Sequence, residues 1–180
     1  SYGTYPKSLL PYKETYSSRA VYPYDVSKAC ADMIGQSYAS ELFKLPIITT
    51  RFSNIYGPGQ LHFSALIPDI MKSIILNKIF IPRGDGSDLR DYVYIDDICK
   101  CVTCAKKKQK KKYEIFNVGS GKAITIKNLV KLIIKISKKK IKINFNINKP
   151  TLSTSVHLNC NKAKKYLNWA PNISINTGIK

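Results

Sequence analysis

Residues 23–58, PYDVSKACADMIGQSYASELFKLPIITTRFSNIYGP, decide the fold class. Pro23 can open a helix, because its missing N–H falls among the amides that a first turn leaves unbonded anyway. From Val26 the apolar residues Cys30, Met33, Ile34 and Tyr38 recur at three- and four-residue spacing, which predicts an amphipathic helix to about Phe43. Pro46 to Phe52 is then a short, β-branched, nearly continuous apolar run, the pattern of a strand covered on both faces as in a parallel sheet. A helix that leads straight into such a strand is half of a parallel α/β repeat.

The alternation continues outward. After Gly57-Pro58-Gly59 the pattern predicts a helix from about Ala65 to Leu76, with Pro68 near enough to its start to be tolerated. Ile79-Phe80-Ile81 predicts a second short strand, Asp85-Gly86-Ser87 a turn, and Tyr92-Val93-Tyr94 an extended piece. Asp96 and Asp97 fall in the first turn of a helix expected from Ile95 to Ala105, where the macrodipole favours acids. Further on, the pattern predicts a strand at Ile115 to Val118, an amphipathic helix from Ile126 to Ile136, and a strand with one wet face from Ile141 to Ile147. A last short helix is expected from about Lys162 to Leu167. Upstream, the stretch to Val21 is rich in Tyr, Ser, Pro and Lys without a period and reads as a surface-running loop. The class is α/β.

The chain has 180 residues, 44% of them apolar, and a formal charge of +19. That length buries one core without help from disulfides, and no stretch is long and apolar enough for a membrane span. The charge first suggests nucleic acid, but its distribution argues otherwise. Residues 1–104 are almost neutral, whereas residues 105–180 are Lys-rich and hold Glu114 as their one acid. The only arginines are Arg19, Arg51, Arg83 and Arg90, although base readout and bidentate phosphate grip favour Arg. The lysine runs at 106–112 and 138–140 carry no interleaved aromatics for base stacking. They read as solvated loops, and no specific nucleic-acid partner is expected. Five cysteines without framework spacing, and no basic, apolar leader at the start, point to the cytoplasm. Cys99, Cys101 and Cys104 have no His or fourth Cys nearby, so core packing on a helix is set against a metal or redox cluster and no metal is expected.

On a helix Tyr24 and Lys28 lie one turn apart on one face, so phenol and ammonium share a site. A nearby cation and a helix N-terminus both favour the phenolate over the phenol, which suits Tyr24 to act as general base for a hydroxyl proton. With twelve tyrosines in the chain this spacing is not rare, and context adds to it. Strand 46–52 delivers Ser53 and Asn54 at its carboxyl end, where open α/β sheets bind ligands. Arg90, among apolar neighbours, needs an anion, either a structural carboxylate or a bound phosphate.

Five motifs carry a resemblance: Tyr24-Asp25-Val26-Ser27-Lys28, Asn54-Ile55-Tyr56-Gly57-Pro58, Arg90-Asp91-Tyr92-Val93-Tyr94-Ile95-Asp96-Asp97, Asn117-Val118-Gly119-Ser120-Gly121 and Leu167-Asn168-Trp169-Ala170-Pro171. In this order they resemble the extended short-chain dehydrogenase/reductases, the nucleotide-sugar epimerases and dehydratases. Residues 23–32, 60–64 and 83–87 are most similar to CDP-glucose 4,6-dehydratases. The resemblance spans the chain and implies the C-terminal part of a Rossmann-type enzyme, with 1–56 the end of an NAD-binding domain and 57–180 mainly a nucleotide-sugar binding domain. It implies NAD as cofactor, a nucleotide-sugar substrate and a homodimer built on the helix of Tyr24. Tyr24 would take the proton of the sugar 4-hydroxyl, and Lys28 would hold the nicotinamide ribose. Phe52 and Ser53 would approach the nicotinamide, Asn54 and Arg90 would hold the diphosphate, and Leu66, Pro68 and Arg83 would shape the nucleotide and sugar pocket. A 4-epimerase uses the same Tyr and Lys and is the close alternative. A basic binding module and a non-catalytic dimerising subunit are the others.

The departures are equally informative. The glycine pairs at 57/59, 84/86 and 119/121 each lack the third glycine and the strand-to-helix setting of a dinucleotide turn. Gly119 to Lys122 differs from a P-loop, with Phe116 in place of its first glycine and Ala123 in place of its Ser/Thr. Ser1-Tyr2-Gly3 resembles the end of the strand that carries the catalytic Ser/Thr, so the chain corresponds to a carboxyl-terminal half and alone is not expected to bind NAD well or to turn over. Residues 150–153 lack the second Arg that relatives use on the diphosphate, leaving Lys149 as a point charge. By the same likeness His62 lies in a pocket-forming loop, and His157 reads as structural or exposed.

Overall fold

Pro23 occupies the first turn of helix α1 (Pro23–Tyr38) in the computed structural model, which describes residues 2–3, 5–109, 113–145 and 155–180. The helix stops short of Phe43. Ala39 caps it, Lys44 takes a left-handed φ of 56°, and the Leu45 amide donates back to the Tyr38 carbonyl at 3.1 Å. That turn reverses the chain into β1 (Ile47–Phe52), which pairs in parallel with β4 (Tyr113–Val118), Ile47 opposite Tyr113 and Phe52 opposite Val118. β1 is half-buried along most of its length rather than covered on both faces, because it lines an open cleft.

Beyond Ser53 the chain changes partner. β2 (Asn54–Tyr56) lies parallel to β3 (Leu89–Tyr94), and β3 runs antiparallel to β5 (Ala123–Thr125), giving a second sheet in the order β2-β3-β5. One extended stretch, 47–56, therefore serves two sheets, with Ser53 as the joint.

Helices α2 (Leu66–Ile75) and α4 (Ile126–Ser137) cover the second sheet. Ile67, Ile70, Leu129, Val130 and Ile133 meet Tyr56 and Phe80 in its core. The Thr125 hydroxyl caps α4 by accepting from the Asn128 amide, and Lys138 ends it with a left-handed φ. Helix α3 (Ile95–Lys108) has Asp96 and Asp97 in its first turn and lysines in its last, matching the macrodipole at both ends. It packs with α5 (Asn161–Leu167) through Ile98, Cys101, Ala105, Ala163, Leu167 and Trp169 over Val93, Phe116 and Val118. A last turn, α6 (Ile175–Gly178), had no sequence signal. It closes under Tyr56 because Gly178 has no side chain; a Cβ there would collide with the Tyr56 hydroxyl. Among the described residues no helix is long and apolar enough to cross a membrane.

Two further expectations need correction. The strands at 79–81 and 141–147 reduce to one parallel bridge between Phe80 and Ile143. The Phe80 amide donates to Lys142 and the Asn144 amide to Phe80, and Pro82 has no amide with which to extend the pairing; residues 146 and 147 lie outside the described residues. Nor does the opening segment run wholly over the surface. Tyr2 and Tyr12 are buried with Leu158 and Cys160, and Tyr5 and Tyr16 stack beside them. Ring packing needs no period, so periodicity could not reveal it.

The fully buried Asp97 carboxylate accepts the Asn172 and Ile173 amides at 2.9 Å each, while the Asp97 carbonyl takes the Trp169 indole N–H at 2.9 Å. Asp97→Ala leaves both amides unpaired and is expected to lower stability by about 3 kcal/mol. Urea unfolding checks this, and an unchanged midpoint would refute it.

Candidate functional site

The face of α1, the carboxyl ends of β1 and β2, the start of α2, residues 81–83 and β3 enclose one open cleft of about 1410 Å³. All nine residues singled out from the sequence line it. Helix α1 presents Tyr24 and Lys28, with the Lys28 Nζ 5.4 Å from the centre of the Tyr24 ring. Tyr24 is 71% exposed, so its phenol is open to anything that enters. The joint between the sheets contributes Phe52, Ser53 and Asn54; α2 contributes Leu66 and Pro68; Arg83 comes from the loop before β3 and Arg90 from β3 itself.

Ser53 is buried, and its Oγ has no hydrogen-bond partner. An orphaned hydroxyl is costly, so this atom suits a ligand that supplies a partner. Opposite it stands Gly119, where a Cβ would lie 2.8 Å from the Ser53 Oγ and 2.7 Å from the Asp91 Oδ2. Asp91 is fully buried, and its carboxylate accepts from the Ser120 amide (2.8 Å), the Ser120 hydroxyl (2.5 Å), the Gly121 amide (3.2 Å) and the Leu158 amide (3.4 Å). The Gly119-Ser120-Gly121 turn thus wraps a side chain of the protein, not a phosphate. The Asn54 Nδ2 donates to the Asp91 carbonyl at 3.2 Å, leaving its oxygen and second amide hydrogen for other partners. Arg90 donates to the Leu89 carbonyl at 2.9 Å. Burial pushes the neighbouring Tyr92 phenol up to about 12, so it stays a neutral donor at physiological pH.

Sequence reasoning missed a cluster behind the Tyr24–Lys28 pair. Asp32 continues their helix face by one more turn. The Arg51 Nε and terminal nitrogen donate to its Oδ2 at 2.9 and 2.5 Å, and the Tyr113 hydroxyl donates to its Oδ1 at 2.8 Å. The side chains of Arg51 and Asp32 are only 12% and 13% exposed. Burial, and the Asp32 carboxylate beside it, push the Tyr113 phenol up. The repeat 24, 28, 32 was the available signal.

His62 lines the cleft, 2.6 Å from the Ser64 hydroxyl, whereas His157 meets the Gly121 carbonyl at 3.1 Å away from it. Residues 149–153 lie outside the described residues. Cys99 is exposed and Cys101 buried in the α3 core, so the cysteines of that helix do not converge. Among the described residues no group of His, Cys, Asp or Glu is placed to hold a metal ion.

A family model described as GDP-mannose 4,6 dehydratase matches residues 1–180. A UDP-glucuronate 4-epimerase of Thermodesulfobacterium geofontis is 35% identical over 88% of this chain and 48% of its own. The crystal structure of dTDP-glucose 4,6-dehydratase from Bacillus anthracis in complex with NAD matches with a TM-score of 0.88 and 29% identity, over 99% of this chain and 56% of that one. UDP-glucose 4-epimerase from Thermotoga maritima, solved with UDP-glucose, matches with a TM-score of 0.90 and 28% identity, over 99% and 57%. The fold is the Rossmann-like α/β fold of these enzymes, and the chain spans about half the length of each.

Burial pushes the Cys101 and Cys160 thiols up to about 12, so on the order of one in ten thousand is ionised at pH 8. Iodoacetamide at that pH is expected to label the exposed Cys30 and Cys99 first, with Cys101 and Cys160 reacting only after unfolding. Mass spectrometry reads the order, and early labelling of Cys101 would contradict the packing described.

Proposed function

The chain belongs to the GDP-mannose 4,6-dehydratase family of nucleotide-sugar dehydratases and epimerases, and on that footing we propose that it serves an NAD-dependent nucleotide-sugar 4,6-dehydratase whose substrate is CDP-glucose. The observation that carries this reading is the meeting of Tyr24, Lys28, Asn54 and Arg90 on one cleft. Bound NAD supplies the acceptor for the hydride of the sugar C4. Tyr24 takes the proton of the 4-hydroxyl, and Lys28 holds the nicotinamide ribose and sets a positive charge beside the phenol. The orphaned Ser53 Oγ offers a hydrogen bond at the nicotinamide end, which Phe52 flanks. Asn54 and Arg90 take the substrate diphosphate, while Leu66, Pro68 and Arg83 shape the nucleotide and sugar pocket.

The residues fit one end of the cofactor. Among the described residues the Ser120 and Gly121 amides of the glycine turn are occupied by Asp91, so they offer the cofactor pyrophosphate no cradle. In this reading residues 1–56 serve the NAD end and 57–180 mainly the sugar end, although β4 from the second stretch completes the sheet of β1. The likeness of residues 60–64 and 83–87 to CDP-glucose enzymes favours CDP-glucose. Free thiols on all five cysteines suit a reducing compartment, and we place the protein in the cytoplasm.

The polypeptide that the cell makes, given NAD and CDP-glucose, is expected to yield a 4-keto sugar that has lost one water. An epimerised sugar of unchanged mass would instead make it a 4-epimerase. Tyr24→Phe is expected to cut turnover by roughly 10²–10⁴-fold with an unchanged melting temperature, and undiminished turnover would remove Tyr24 as the base.

The same reading includes a homodimer through α1, whose outer face exposes Val26, Met33, Ile34 and Tyr38. Light scattering is expected to give twice the chain mass for the native protein and the mass of one chain for Met33→Lys. A native monomer at micromolar concentration would end this part of the proposal.

A further inference from the structure

Tyr24, Lys28 and Asp32 follow one another at four-residue intervals on α1. On a bare helix the Lys28 ammonium has two neighbours on its own face, the phenol one turn before and the carboxylate one turn after, and the carboxylate is the stronger attraction. A Lys28–Asp32 pair would draw the ammonium away from Tyr24. In the structure the ammonium lies 5.4 Å from the centre of the Tyr24 ring, and Asp32 is engaged elsewhere on both oxygens. Arg51 reaches from β1 to Oδ2 through two nitrogens, and Tyr113 reaches from β4 to Oδ1. Arg51 is itself held: it donates to the Glu14 carbonyl at 3.2 Å, and its guanidinium lies 4.7 Å from the centre of the Tyr2 ring.

We infer that Arg51 and Tyr113 are positioning residues that occupy the Asp32 carboxylate so that Lys28 stays with Tyr24. A fork of two donors suits the task, because it engages the carboxylate with fixed geometry where a second ammonium would compete for it as a point charge. Tyr113 suits it too, since a phenol kept neutral by burial remains a donor. The inference rests on the reading of Tyr24 and Lys28 as the reacting pair. It also assigns a role to Asp32, which touches neither substrate nor cofactor in that reading.

A simpler alternative is that the cluster only ties α1 to the β1–β4 sheet. The two differ in what happens when Asp32 is neutralised after Arg51 has been removed. With 3-fluorotyrosine placed at position 24 of the whole chain, the ¹⁹F resonance reports the charge beside that ring, and Lys28→Met marks its position when the ammonium is gone. Arg51→Gln is expected to move the resonance most of the way to the Lys28→Met position, and Arg51→Gln with Asp32→Asn to return it to the native one. A native resonance in Arg51→Gln, or a double variant that stays displaced, would overturn the inference. Should Arg51→Gln fail to fold by circular dichroism, Tyr113→Phe with and without Asp32→Asn repeats the test while keeping the Arg51 pair. There a displacement reversed by Asp32→Asn supports the inference, and its absence overturns it. The measurement needs no NAD and no sugar, so its outcome is separable from success or failure of the dehydratase assay.

Discussion

A carboxylate without access to water must find its donors within the protein, and Asp91 imposes that condition on everything around the cleft. Its donors come from the turn after β4 and from the segment that returns past Leu158, so both must approach β3 at one residue. The turn can approach because Gly119 has no side chain to meet the carboxylate or Ser53. The Asp91 carbonyl, in turn, orients Asn54 at the rim of the cleft. One buried acid thereby sets the spacing of β2, β3, the glycine turn and the return segment. Asp97 repeats the device at the start of α3, where it gathers the chain beyond Trp169. Two acids close together in sequence, one in β3 and one in the first turn of α3, thus each gather a different segment of the chain.

Helices α2, α3 and α4 were legible because each writes its buried face into the chain at three- and four-residue spacing; Ile126, Leu129, Val130 and Ile133 in α4 are all buried and all periodic. Helix α1 was legible from the same spacing although its repeat, Val26, Cys30, Met33, Ile34 and Tyr38, lies exposed and Ala29 is its buried residue. Strands were less so. β2 and β5 are three residues each, too short for alternation to register, and β2 follows β1 with only Ser53 between them. The apolar triplet at 79–81 looked like a strand although only Phe80 turns inward, Ile79 and Ile81 being exposed. Tyrosine stacking in the first twenty residues follows no period and left no trace. Tyr24, Lys28, Asn54 and Arg90 were legible because each stands in a short local motif, whereas Phe52, Ser53, Leu66, Pro68 and Arg83 came from the likeness to a family; all nine line the cleft. The Asp32 cluster joins α1, β1 and β4 across separations of 19 and 81 residues, which only the pairing of β1 with β4 brings within reach.

The cleft sits at the joint between two sheets, and that placement has a mechanical side. Tyr24 and Lys28 belong to the helix that packs on β1, while Arg90 belongs to the sheet that begins one residue past Ser53. The separation between Tyr24 on one sheet's helix and Arg90 on the other sheet is therefore set by the short joint of backbone at Ser53. Ser53 is anchored there by its amide, which donates to the Val118 carbonyl at 2.9 Å.

Trp169 is the only tryptophan of the chain; it is buried, with its indole N–H held by the Asp97 carbonyl. All indole fluorescence therefore originates in the α3–α5 core, far in sequence from the stacked tyrosines of the opening segment. Loosening of that core shifts the emission to longer wavelength, while loosening of the opening segment changes tyrosine absorption alone. The indole thus reports on one core alone, whereas the twelve tyrosines, spread from Tyr2 to Tyr166, report on the whole chain, so loosening of the α3–α5 core can be told from general unfolding without attaching a label.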